Sequence, residues 1–122
     1  MRVFAAACVM ALLAMTGAAQ VRGVESVRGA VVDLASVRAP GPFPGLDAHG
    51  ATAMARARDG QPMAIVGADA VWIVEGSYTD NGNAKLLDFV GKYVEAKGTL
   101  SERDGRRYIN VAAMMVDKPG QH

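Results

Sequence analysis

The chain has 122 residues, with 13 Lys and Arg against 12 Asp and Glu, and one cysteine, Cys8. That length fits a single domain, and the near-zero net charge lacks the basic footprint of a nucleic-acid partner. One cysteine cannot form a disulfide framework within the chain, so the fold has to rest on its core.

Met1-Arg2 is a short basic start, Val3 to Met15 is apolar, and Thr16-Gly17-Ala18-Ala19 supplies small residues before Gln20. This is the layout of a secretory signal peptide over residues 1–19, cleaved after Ala19 with Ala18 as the near alternative. The apolar run is shorter than the roughly 20 residues that span a bilayer, so no stable membrane insertion is expected after cleavage. Cleavage removes Cys8 and Arg2 and leaves 12 basic and 12 acidic residues. The expected mature protein is one domain over residues 20–122, periplasmic or secreted. Its tail frays from about Asp117, where Pro119 and Gly120 follow.

Along the mature chain, Ser26 to Leu34 is β-branched and apolar and predicts the first strand. Pro40, Pro42 and Pro44 within Ala39–Gly45 predict a loop, since that density of proline suits neither helix nor central strand. Asp47 is placed to cap a helix over Ala48–Arg58, with Gly60 past its end and Ala51, Met54 and Ala55 facing the sheet. Met63–Val66 and Ala70–Glu75 predict two strands around a Gly67-Ala68-Asp69 turn. A polar loop from Ser77 ends at Asn83, which is placed to cap a short helix over Ala84–Phe89, stopped by Gly91. Tyr93–Leu100 and Arg107–Val116 predict a closing hairpin around Asp104-Gly105. The expected fold is mainly β with a helix insertion (α+β), a five-stranded OB-like small barrel.

Several stretches match one pattern in order. They are Gly29-Ala30-Val31-Val32-Asp33, then His49 with Ala53 and Ala57, then Gly60-Gln61-Pro62. Last come Gly91-Lys92-Tyr93-Val94 and Gly98-Thr99-Leu100-Ser101-Glu102-Arg103-Asp104-Gly105. Over nearly the whole mature chain this resembles a family of small exported bacterial proteins with an OB-like domain. Members of that family carry a V-V-D strand ending in cysteine and an H-x-x-C-A-x-x-C-A helix. The three family cysteines fall here on Ser36, Thr52 and Arg56. One histidine with three cysteines suits a soft metal or a disulfide-linked redox site. Serine, threonine and arginine do not replace thiolates, so the resemblance implies a member without that site, which keeps only His49.

The remaining candidates each have two readings. His49, in the first helical turn, is a metal ligand or proton carrier, or a side chain bonding the Pro-rich loop. Met54, Met63, Met114 and Met115 are thioether ligands for copper or core filler. Trp72 and Tyr108 form a stacking surface or pack in the core. Arg103, Arg106 and Arg107 stand among Glu102 and Asp104, which reads as a solvated turn. Asp33 pins the loop that follows it. Ser36, His49 and Asp33 make a formal Ser/His/Asp set, yet no G-x-S-x-G elbow is present. The reading that follows is an exported, non-enzymatic binding or structural module without cofactor, acting on a protein or small-molecule partner. The alternative is a periplasmic metal or haem carrier using His49 with methionines.

Overall fold

The computed structural model describes residues 20–117, without the side chains of residues 20–22. The expected signal peptide with Cys8 and the tail from residue 118 lie outside the described residues. Five strands are present: β1 (Gln20–Asp33), β2 (Met63–Val66), β3 (Val71–Glu75), β4 (Tyr93–Arg103) and β5 (Arg106–Val116). Between β1 and β2 comes a 13-residue helix, α1 (Leu46–Arg58). The fold is mainly β with a helix insertion, as expected.

The strands form one sheet that closes on itself in the order β1-β2-β3-β5-β4. All neighbours are antiparallel except β3 and β5, which run parallel. Side chains alternate across a strand, so Val94, Ala96 and Leu100 of β4 and Ile109 and Val111 of β5 point inward. There they meet Val31, Ile65, Trp72 and Val74. β2 is buried at all four positions. Its second face is covered as well: Val66 packs with Ala30, Val32 and Leu46 under Val37 and Phe43, outside the ring. The Pro-rich loop is therefore the lid of a second small core.

α1 joins the end of β1 to the start of β2 and packs against that end of the ring. Ala53 and Ala57 are fully buried in the same cluster as Val31, Met63, Ile65 and Leu86. This corrects the expected helix face, because Ala51 and Ala55 are exposed and Met54 is only half-buried. The helix is turned so that its smallest residues face the ring and its long polar ones flank them. The cap also differs. Leu46 is buried in the outer core and starts the helix two residues early, with Gly45 as N-cap at φ 69°, while Asp47 is exposed and caps nothing.

Asn83 does not start a helix over Ala84–Phe89. Its side chain donates to the carbonyls of Ala57 (2.9 Å) and Gln61 (3.1 Å), so it closes the C-terminal end of α1. The segment after it holds only a short 3-10 turn, Leu87–Phe89. The β4–β5 turn is as expected: Asp104 (φ 53°) and Gly105 (φ 77°) both take the positive φ of a type I′ hairpin.

Neighbouring strands approach closely at Gly98, where a Cβ would collide with the Asn110 carbonyl. Gly98→Ala is expected to lose about 2 kcal/mol or more by overpacking. Gly50→Ala meets nothing within 4 Å and should gain roughly 0.5–1 kcal/mol in the helix interior. Urea unfolding of the two variants against the parent checks both signs.

Candidate functional site

Asp33 is the last residue of β1 and is fully buried. A carboxylate in that position is strongly unfavourable unless it is hydrogen-bonded and its charge is matched. Three side chains do this. The Ser36 hydroxyl donates to Oδ2 at 2.6 Å. His49 Nε2–H donates to Oδ1 at 2.7 Å. Arg56 Nη1 donates to Oδ2 at 2.6 Å and to Ser36 Oγ at 3.0 Å.

Local structure delivers each partner. The single 3-10 turn Leu34–Ser36 folds Ser36 back onto the residue it follows. His49 and Arg56 are seven residues apart on α1, two turns along one stripe. The His49 ring rests 5.3 Å from that of Phe43 in the Pro-rich loop. Burial pushes the Asp33 carboxyl up, but the hydrogen bonds from Ser36, His49, Arg56 and its own backbone outweigh it. They hold the carboxyl at about 2, below its ordinary 3.8.

The chemistry of this cluster follows from where its protons go. Ser36 and His49 both donate to Asp33, on different oxygens. The hydroxyl is thus committed to a carboxylate and not to an imidazole base, so the Ser/His/Asp set forms a clamp without a nucleophile–base pair. The three positions marked by the family resemblance do converge. Ser36, Thr52 and Arg56 line one open depression of about 540 Å³ together with Arg38, Phe43 and His49. Thr52 is exposed on its rim.

The methionines lie elsewhere. Met63 is in the core, Met54 and Met114 pack against it, and Met115 is exposed beside Glu95 and Lys97. His49 and Asp33 are two donors already bonded to each other, and among the described residues no three His, Cys, Asp or Glu gather to hold a metal. That donor set does not fit a transition-metal centre.

A second site lies along the N-terminal part of β1. β2 pairs β1 only at Ala30–Asp33, whereas β4 pairs it from Gln20 to Ala30. Where β2 has ended, a cleft of about 550 Å³ opens, lined by Glu25, Val27, Asp69, Trp72, Leu100 and Arg107. Trp72 is 8% and Leu100 1% exposed, so both belong to the buried core and the cleft ends against them. The Arg107 guanidinium stands 6.0 Å from the Trp72 ring, and its Nε lies 3.7 Å from Glu102.

Trp72 and Tyr108 do not form one surface. Trp72 is opposite Arg107 and Ile73 is opposite Tyr108 in the β3–β5 register. Adjacent residues on a strand face opposite sides. Tyr108 lies under the Arg103 guanidinium at 3.7 Å. Arg103 in turn grips Glu75 through two bonds of 2.7 and 3.3 Å. The last hairpin is therefore more than a solvated turn. The cleft escapes a sequence reading that starts β1 at Ser26, because its wall includes Glu25. The signal that points to it is the valine series Val21, Val24 and Val27, interrupted by Gly23, where the register shifts.

No family model, curated protein or solved structure matches the chain.

Asp33→Asn is expected to cost roughly 1.5–3 kcal/mol, because a neutral amide replaces the charged acceptor shared by Ser36, His49 and Arg56, measured by denaturant unfolding at neutral pH. The sign of the pH dependence follows from a depressed carboxyl. Its contribution is complete above the ordinary value of 3.8 and is lost as pH falls towards about 2. Stability of the parent should drop across that interval more steeply than that of Asp33→Asn.

Proposed function

We propose that the protein is an exported, non-enzymatic binding module on an OB-like barrel, and that the cleft beside Trp72 is its ligand site. One observation carries this reading. The ring of strands is closed by α1 at one end and bears at the other a cleft that ends against Trp72 and Leu100. Mouths of small barrels, with an apolar floor and a few polar groups at the rim, are a recurrent place for ligands. The strand order β1-β2-β3-β5-β4 supports the OB-like reading, as does the resemblance to small exported proteins. The signal-like first 19 residues support export. The Asp33 cluster is assigned a structural role, fixing α1 to the end of β1. The carrier reading based on His49 has less support, since none of the methionines lines its depression.

Trp72 is the only tryptophan, so its emission reports on the cleft directly. Native mass spectrometry of protein secreted from a bacterial host and purified without chelator gives the expected start at Gln20 and any bound mass. A bound small molecule or peptide should alter Trp72 emission on release, and Arg107→Ala should weaken its retention while His49→Ala does not. A bound metal lost in His49→Ala, with Trp72 emission unchanged, would overturn the assignment and move the function to the Asp33 cluster.

A further inference from the structure

The depression over the Asp33 cluster holds more hydrogen-bond donors than the cluster uses. Ser36, Arg38, Phe43, His49, Thr52 and Arg56 border it, and neither Asp nor Glu lines it. The carboxylate bonded to these side chains, Asp33, is fully buried beneath them. Its negative charge offsets the guanidinium of Arg56. The charge of Arg38 is left over. Arg38 lies in the loop after Leu34–Ser36, is exposed, and forms no ion pair with a described residue.

Donors are left over as well. Arg56 spends Nη1 on Asp33 and Ser36. Its Nε and Nη2 bond to no described residue, and its side chain is 38% exposed. The Thr52 hydroxyl, one helical turn before Arg56 on the same face of α1, is exposed and also bonds to no described residue. A flat carboxylate is matched by one guanidinium fork. Here the loop supplies one guanidinium, and the helix supplies a second with a hydroxyl beside it. Donors from two elements suit the several terminal oxygens of a phosphoryl group.

The rest of the depression sets what the phosphoryl group is attached to. Half-buried Phe43 and exposed Pro44 give it an apolar flank. A space of about 540 Å³ takes in an organic body as well as an oxyanion.

We propose that this depression binds a small aromatic phosphate monoester. The phosphoryl group lies against Arg38, Thr52 and the unused edge of Arg56, and the ring lies along Phe43 and Pro44. The site stands over the Asp33 clamp without breaking any of its bonds, and it does not depend on the cleft beside Trp72.

The test uses the mature protein and phenyl phosphate, with inorganic phosphate and benzoate as comparisons. Calorimetry at low ionic strength gives affinities, and NMR shifts give the place of binding. Phenyl phosphate should bind and shift the Thr52 amide and the Arg56 Nε–H. Affinity should fall about tenfold in Arg38→Gln and about threefold in Thr52→Val. Neither variant removes a bond to Asp33, so both should keep the urea midpoint of the parent. Arg106→Gln removes another exposed cation without an ion pair, on the β4–β5 hairpin, and should leave binding unchanged.

An equal loss in Arg106→Gln would show diffuse attraction to any surface cation and overturns the site. Benzoate binding as tightly as phenyl phosphate overturns the phosphoryl assignment. Inorganic phosphate binding as tightly overturns the place given to the ring. If millimolar phenyl phosphate shifts neither Thr52 nor Arg56, the inference fails as a whole, and the reading of the cleft beside Trp72 is untouched.

Discussion

The placement of α1 depends on one buried carboxylate. Asp33 sits where β1 leaves the sheet, with no exposure to solvent, and the segment after it must satisfy that charge or the strand end is not viable. Ser36 does so from the next turn of backbone, and His49 and Arg56 do so from two turns of the helix. A single atom group therefore fixes both the path out of the strand and the rotation of the helix about its axis. With His49 and Arg56 aimed at Asp33, Ala53 between them has to face the core, and Ala57 follows one turn on. The helix is held by polar geometry and packed by alanine, which lets it lie close to the ring.

The two ends of the ring then differ in kind. At the Asp33 end, strand, loop and helix interlock, with a second apolar layer of Ala30, Val32, Leu46 and Val66 outside the sheet. At the other end, β2 is too short to line β1, and a cleft opens beside Trp72. Rigidity is concentrated where the polar cluster is, and access where the short strand leaves a lane. A binding site on such a scaffold has one firm wall on each side: β1 backed by β4, and β3 backed by β5.

Local signals in the sequence were enough for β2 to β5, for the Asp33 end of β1 and for the Asp104-Gly105 turn, because alternation and a positive-φ pair act over a few residues. The grouping of Ser36, Thr52 and Arg56 was suggested only by the resemblance, since no local signal ties the end of a strand to the face of a later helix. What local reading misses is set by distant contacts. Asn83 has the composition of a helix start, yet its amide is used by Ala57, 26 residues earlier. The alanines of α1 are interchangeable by propensity, so only the tie to Asp33 decides which of them are buried. The N-terminal extension of β1 carries a glycine and a glutamate that look like the end of a strand. They are tolerated because β4 pairs them and because Glu25 reaches the cleft rim and not the core.

The pairing of β1 with β4 also governs the order in which the molecule can assemble. Gln20 is opposite Glu102 and Ala30 is opposite Tyr93, so β1 has its longest partner in β4, with α1, β2 and β3 lying between them in the chain. Contacts of such wide sequence separation form late and slowly. Until β4 exists, β1 has only the four residues of β2 to pair with, and the ring cannot close. A chain with this topology cannot fold its first strand until its fourth has been made.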